Sequence, residues 1–183
     1  MAKPSNRKEK EAMAVLNRLK LVAKELKGSS GYKLCRQNEI RALMKKYSTP
    51  ALFITINPAD IYHPLLGVLG GKEIEEWRRM NRHERAVFIA RNPGTAAQFF
   101  DIMMKAFVDI IIRHGKEGGG LFGVSETYYG MVKAQGRGTL HCHMLIWIKG
   151  NPNPQELRDR MVEEPGFQLK MFDWIESVIM STA

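Results

Sequence analysis

Two histidines, His141 and His143, lie one residue apart in an apolar segment of the chain. Side chains of a strand alternate between its two faces, so both imidazoles would lie on one face, with their Cα atoms about 6.5–7 Å apart. At that spacing two imidazoles can converge on one ion, at metal–nitrogen distances of about 2.0–2.2 Å. The spacing therefore predicts a metal site on a strand. The alternative is structural, with one histidine packed and the other hydrogen-bonded.

The residues around the histidines predict where the core lies. Leu145 and Trp147 share the histidine face of the strand, whereas the opposite face is apolar throughout and is expected to be buried. That opposite face consists of Leu140, Cys142, Met144, Ile146 and Ile148. Cysteine is among the most often buried residue types, which agrees with its position on this face.

A glycine-rich turn over 136–138 predicts that the preceding segment pairs with the histidine strand as a hairpin. With a three-residue turn, Gln135 pairs with Thr139 and Lys133 pairs with His141. Directly opposed residues face the same side, so Gln135 and Lys133 would lie beside the histidines. A turn one residue longer or shorter would place them on the other face.

The composition is that of a globular chain long enough to bury a substantial core. Of its 183 residues, 44% are hydrophobic and 26% are charged. Two cysteines, Cys35 and Cys142, do not make a disulfide framework, and there is neither a signal-peptide pattern nor an apolar run of membrane-spanning length. We therefore expect an intracellular location without membrane association.

The net charge of +9 arises in the N-terminal quarter of the chain, because residues 1–50 hold 13 Lys/Arg and 4 Asp/Glu whereas residues 51–183 hold 15 of each. Such clustering is typical of a protein that binds a polyanion, most often nucleic acid. A solvated helix surface is the alternative. The candidate DNA-binding residues are Lys20, Lys24, Lys27, Arg41, Lys45 and Lys46, together with Arg137 in the hairpin turn.

Hydrophobic periodicity and turn residues predict an α+β fold, in which a small antiparallel sheet carries the histidine motif and helices pack on one face. Strands are predicted over 51–56, 121–135 (interrupted at Gly130) and 139–149. Helices are predicted over 8–27, 34–46, 73–79, 82–91, 93–114, 155–163 and 167–180, with a loop over 61–72. The buried stripe of the longest helix is predicted to be Phe100, Met103, Phe107, Ile110 and Ile111.

Two stretches of the chain resemble the Helitron helicase-like domain, the replication-initiator part of Helitron transposon proteins. They are residues 51–64 (ALFITINPADIYHP) and residues 128–147 (YYGMVKAQGRGTLHCHMLIW). The resemblance covers about residues 28–150, and the domain belongs to the endonucleases with a histidine–hydrophobic–histidine motif. It implies one divalent ion, Mn²⁺ or Mg²⁺, held by the two histidines against a phosphate of single-stranded DNA.

The resemblance assigns roles to particular residues. His141 and His143 match the family's metal ligands, Cys142 replaces the usual hydrophobic residue between them, and Gln135 is the candidate third ligand. In the family a tyrosine on a later helix attacks the scissile phosphate and forms a covalent 5′-phosphotyrosine. A nucleophile and a Lewis acid together can perform that chemistry.

Two features depart from the family pattern. Lys133 stands where relatives often have an acidic residue, and a cation beside an ion site repels the ion. No tyrosine follows Tyr129, and we expect Tyr128 and Tyr129 to pack in a strand. We therefore assign no catalytic residue and expect no covalent DNA adduct. The tyrosine helix and the helicase domain of full-length relatives are expected to be missing.

The predicted organisation has three parts: a basic N-terminal helix (1–28), an initiator-endonuclease-like core (29–150) and a C-terminal helical segment (151–183), incomplete relative to the full family domain. The resulting hypothesis is a nuclear fragment of a Helitron-type transposon protein that binds single-stranded DNA and metal. The alternatives are a non-enzymatic nucleic-acid-binding remnant and a structural domain with core histidines.

The other candidate motifs of the chain are weaker indications of a functional site. The glycines before Lys72 have three residues between them where a phosphate loop needs four, and Glu73 stands where that loop needs Ser or Thr. His63, His83 and His114 lie in a loop, at a helix start and at a helix end. Surface or capping roles are expected for these three histidines.

Overall fold

The structure, a computed structural model, describes residues 6–23, 26–134 and 139–180. The helices of this part are α1 (Arg7–Ala23), α2 (Ser30–Tyr47), α3 (Pro64–Leu69), α4 (Ile74–Arg79), α5 (Arg82–Arg91), α6 (Pro93–Ala106), α7 (Pro154–Glu163) and α8 (Pro165–Met180). The strands are β1 (Leu52–Ile56), β2 (Ser125–Ala134) and β3 (Leu140–Ile148). The predicted α+β class is confirmed.

The chain divides into two compact units, Met1–Ser48 and Thr49–Ala183. The first unit contains α1 and α2, which contact each other. Helix α2 begins where it does because the hydroxyl of Ser29 accepts a hydrogen bond from the Tyr32 N–H at 3.0 Å. The second unit contains the sheet and the remaining helices. The three-part division expected from the sequence stays a prediction.

The sheet is antiparallel in the order β1-β3-β2, so the histidine strand is central. Strand β2 pairs Lys133 with His141 and Met131 with His143, which confirms the predicted hairpin register. Pairing continues as far as Ala134 opposite Leu140. The predicted turn itself, together with Gln135 and Arg137, lies outside the described residues.

One face of the sheet forms the main core, as predicted. Cys142, Met144 and Ile146 of β3 are buried and pack with three residues from the helical layer and the loop before β2: Phe100, Ile112 and Phe122. Leu140 and Ile148 flank this cluster and are partly buried. The helices of the second unit thus cover the sheet face opposite to the histidines.

The expected interruption at Gly130 is wrong. Strand β2 runs through Gly130, and the irregularity in its pairing falls between Ser125 and Thr127. A Cβ atom at position 130 would lie 3.0 Å from the Sγ of Cys142. The glycine therefore lets β2 approach the cysteine of β3 and does not break the strand.

The predicted stripe of the long helix is wrong at Ile110. Helix α6 passes into a π-helical segment, Phe107–Ile112, in which Ile110 is 67% exposed and Ile112 is 1% exposed. A π-helical turn closes its hydrogen bonds one residue later than an α-helical turn. This change of period moves the buried position from Ile110 to Ile112.

The loop expected over 61–72 is also wrong, because α3 lies within it. Its N-terminus is capped by His63, whose Nδ1 accepts a hydrogen bond from the Leu65 N–H at 3.2 Å, which confirms the expected capping role. A Cβ at Gly67 would lie 2.7 Å from the Trp77 ring, so Gly67 serves packing in a second core cluster. That cluster contains Leu66, Trp77, Ile89, Ala96 and Phe99.

Within the described ranges, no helix is both long enough and apolar enough to cross a membrane. Buried apolar residues of the second unit instead form two clusters, and α6 contributes to both of them. Helix α6 contributes Phe100 to the sheet cluster and Phe99 to the helical one. It is therefore the element that joins the histidine-bearing sheet to α3, α4 and α5.

Candidate metal centre

The two histidines of β3 converge on one another. The Nε2 atom of His141 lies 3.2 Å from the Nε2 atom of His143, and the two rings are nearly perpendicular, at 88°. Two nitrogens bound tetrahedrally to one ion at 2.0–2.1 Å would be about 3.3–3.4 Å apart. The observed separation fits such a pair, and it also fits a direct N–H···N hydrogen bond.

Strand β1 holds the ring of His143 in this orientation. Thr55 pairs with His143 across the strands, and its Oγ1 lies 3.0 Å from the Nδ1 of His143. The ring of Phe53 stacks on His143, with centroids 5.8 Å apart and an interplanar angle of 7°. When Nδ1 donates its proton to Thr55, Nε2 keeps its lone pair free for an ion, the usual arrangement behind a ligating histidine.

His141 lacks an equivalent partner on its second nitrogen. Its side chain is buried, at 7% exposure, and its Nδ1 has no hydrogen-bond partner among the residues that the structure describes. A buried nitrogen without a partner costs free energy. His143 is half-buried, so solvent reaches the pair from the His143 side.

Two neighbouring side chains set the charge around the pair. Burial raises the pKa of the Cys142 thiol, and its side chain lies on the core face, so Cys142 stays a protonated core residue and not a ligand. Lys133 is exposed and stands opposite His141, hence on the histidine face. The strand register therefore places the cationic side chain of Lys133 on the same face as the pair.

Within the described ranges, no group of three His, Cys, Asp or Glu side chains is placed to hold an ion. Among the described side chains the two histidines therefore offer two nitrogens, and an ion held by them would have coordination positions for water, a phosphate oxygen or a further ligand. Gln135, the predicted third ligand, lies outside the described residues, and its role stays a prediction.

Comparison with family models gave a match over most of the chain. A family model, the Helitron helicase-like domain at the N-terminus, matches residues 2–146. The chain belongs to the Helitron helicase-like N-terminal domain family. Searches of curated proteins and of solved structures gave no match. The family is part of Helitron transposon proteins, so the chain is associated with a transposable element.

All the candidate DNA-binding residues of this Helitron-like domain except Arg137 belong to the first unit. Arg41, Lys45 and Lys46 are exposed on α2, and Lys27 is exposed just before it. The ammonium of Lys46 lies 4.8 Å from the centroid of the Tyr47 ring. The placement of Lys24 and Arg137 and the side chain of Lys20 lie outside what the structure describes.

The tyrosines before the motif lie on opposite faces of β2. Tyr128 packs with the main core and meets His114 edge-on, with ring centroids 5.2 Å apart, which confirms the expected packing role. Tyr129 pairs with Leu145 and is half-buried on the histidine face. His83 is exposed on α5, as expected.

Sequence reasoning missed the supporting residues on β1. Phe53 and Thr55 alternate with the apolar residues Leu52, Ile54 and Ile56, so a strict two-residue period was present in the sequence. That period indicates that Phe53 and Thr55 share the face opposite to the core. It does not reveal the neighbouring strand, because pairing of β1 with β3 joins residues about ninety positions apart.

We predict that Thr55→Val shifts the tautomer of His143 in the metal-free domain. The hydroxyl holds the proton on Nδ1, and the isosteric valine cannot accept it, so the Nε2–H form should gain population. Long-range ¹⁵N–¹H NMR correlations of the histidine ring report this directly. Thr55→Ser, which keeps the hydroxyl, is the control and should resemble the wild type. An identical tautomer in wild type and Thr55→Val would show that the Thr55 contact does not set the ring.

Proposed function

We propose that this domain binds one divalent ion through His141 and His143 and presents single-stranded DNA to it, as the nicking and strand-transfer part of a Helitron-type protein. The observation that carries the proposal is the convergence of the two Nε2 atoms at 3.2 Å on the face of the sheet away from the core. Mn²⁺ and Mg²⁺ are the ions that the family implies. Nitrogen ligands also suit other first-row metals.

The side chains present fit such an ion in their chemistry. Imidazole is a common ligand of divalent metals, and Nε2 of His143 is available to an ion when Nδ1 donates its proton to Thr55. A divalent ion bound there supplies Lewis-acid stabilisation of charge on phosphate oxygens. The protein contributes the two fixed nitrogens, a half-buried position that excludes part of the solvent, and a stacked ring that prevents His143 from rotating.

Support for single-stranded DNA as the partner comes from charge. The surplus of Lys and Arg is confined to residues 1–50, and Arg41, Lys45 and Lys46 on α2 are exposed. Phosphate neutralisation by such side chains supplies most of the affinity of non-specific DNA binding. The family to which the chain belongs is a domain of Helitron transposon proteins, which supports DNA as the partner.

A structural domain with core histidines is the second candidate function, and one observation favours it. The separation of 3.2 Å is that of a direct hydrogen bond, in which one Nε2–H donates to the other Nε2. In that case the pair would stabilise β3 and bind no ion. The two candidates differ in what removal of one imidazole does to metal binding.

We predict that Mn²⁺ binds at one site and that His141→Ala and His143→Ala each abolish it, because each removes one of only two described ligands. Isothermal calorimetry with Mn²⁺ gives the stoichiometry and the affinity. Cys142→Val is the control, since its side chain lies in the core, and it should bind like the wild type. If both alanine variants bound Mn²⁺ normally and only melted at a lower temperature, the structural alternative would be correct.

We predict that Lys133→Glu raises Mn²⁺ affinity. The register places residue 133 opposite His141, so the substitution exchanges a repelling charge for an attracting one. Lys133→Met, which only removes the charge, should strengthen binding about three- to tenfold, and Lys133→Glu should strengthen it further. The same titration measures both. Affinity that stays constant across the series would place residue 133 too far from the ion to matter.

We predict that Arg41→Gln/Lys45→Gln weakens binding of an unstructured oligonucleotide and flattens its salt dependence. For single-stranded DNA, the log–log salt slope should fall by about 0.7 for each phosphate that the variant no longer neutralises. Fluorescence anisotropy at several salt concentrations measures the slope. The charge-matched control Arg82→Gln/Arg158→Gln alters exposed arginines of α5 and α7 and should leave the slope unchanged. Equal salt slopes for both double variants would indicate that the α2 cations form a solvated surface that does not contact DNA.

A further inference from the structure

A pocket of about 340 Å³ lies at the end of β3 that is remote from the histidines, where the turn after the strand meets α7 and α8. Its volume is at the lower end of the range of small-ligand sites, about 300–1,000 Å³. The lining residues are Ala51, Ile148, Lys149, Gly150, Asn151, Pro152, Arg160, Phe167, Lys170, Met171 and Trp174. We call this the strand-end pocket.

Three apolar side chains of α8 line the strand-end pocket. Phe167, Met171 and Trp174 of α8 are each half-buried, so they remain partly accessible from the pocket. The guanidinium of Arg160 lies 4.1 Å from the centroid of the Phe167 ring. This cation–π contact holds one aromatic ring in place at the pocket edge.

The rim of the strand-end pocket is positively charged. Among its described lining residues there are three cations and no carboxylate. Arg160 is paired with Glu164 at 3.3 Å, whereas Lys149 and Lys170 are exposed and form no ion pair within the described part of the chain. Two ammonium groups are therefore available to an anionic ligand.

The turn that carries Lys149 is fixed by hydrogen bonds. The Lys149 N–H donates to the Val124 carbonyl at 2.8 Å, and the Asn151 N–H donates to the Ile148 carbonyl at 3.1 Å. The side-chain amide of Asn151 donates to the Thr49 carbonyl at 3.2 Å, which ties the turn to the residues before β1. The backbone that presents the cationic rim is therefore held before any ligand arrives.

We propose that the strand-end pocket binds one nucleotide of a DNA single strand, with the base against Trp174 and Phe167 and the phosphates on Lys149 and Lys170. Aromatic faces beside free cations are how proteins bind single strands without sequence preference, because every base has a π face. Lys149 is six residues beyond His143 on the chain, about 20 Å at the rise of a strand. The pocket is thus a second DNA site, and it does not depend on the proposed ion.

Tryptophan fluorescence tests this proposal locally. Trp77 and Trp147 are each 1% exposed, whereas Trp174 is half-buried, so quenching by a short oligonucleotide reports mainly on Trp174. Titration of the full chain with oligo-dT of five nucleotides, in EDTA, should quench the emission and saturate. Trp174→Phe keeps an aromatic ring and should lose the quenching while binding labelled oligo-dT within a few-fold of the wild type. Trp174→Ala should bind about tenfold more weakly, a typical loss for one stacked base.

Three comparisons decide the outcome. Lys149→Gln/Lys170→Gln should weaken the quenching titration by about tenfold, whereas the charge-matched Arg82→Gln/Arg158→Gln should not, and His141→Ala/His143→Ala should leave it intact even if metal binding fails.

No quenching at saturating oligo-dT would overturn the proposal. So would equal quenching by poly-glutamate of the same charge, which would indicate a site for acidic peptides. Loss of quenching in the histidine variant would assign the DNA to the metal centre alone.

Discussion

The central position of β3 is the constraint on which the rest of the second unit depends. The strand is hydrogen-bonded on both sides, to β1 and to β2, so its side chains must alternate strictly between two faces. Cys142, Met144 and Ile146 are buried against the helical layer. The residues between them are consequently driven to the opposite face. The histidine pair is oriented by the burial of its neighbours as much as by its own contacts.

This constraint explains why neighbouring side chains support the two histidines of the candidate metal centre unequally. His143 is flanked by β1, which supplies the Thr55 hydroxyl and the Phe53 ring. His141 is flanked by β2, where the opposed residue is Lys133 and where no described group satisfies its Nδ1. The edge strand β1 therefore does the positioning, and β2 sets the local charge. The two ligands of one proposed ion are unequal for a reason that lies in the neighbouring strands.

Charge is distributed differently in the two units, and the distribution separates the two kinds of DNA contact that we propose. In the first unit, Arg41, Lys45 and Lys46 are exposed cations of α2, which suit a phosphate backbone. The strand-end pocket in the second unit combines three cations with aromatic side chains, and the aromatic side chains suit a base. Residues 51–183 hold 15 basic and 15 acidic residues. This net charge of zero does not indicate the cationic rim of the pocket, because it sums the charges of all the surfaces of the unit.

The sequence by itself determined the features that depend on local period and short-range pairing. The two-residue alternation around Cys142 placed the histidines on one face, and the turn expected over 136–138 predicted the pairing of Lys133 with His141 that the structure has. Tertiary structure alone decided that Thr55 and Phe53 contact His143, that Gly67 and Gly130 serve close packing, and that Ile112 replaces Ile110 in the core. These depend on contacts between distant segments or on a change of helical period. Neither the distant contacts nor the change of helical period can be predicted from a local pattern of residues.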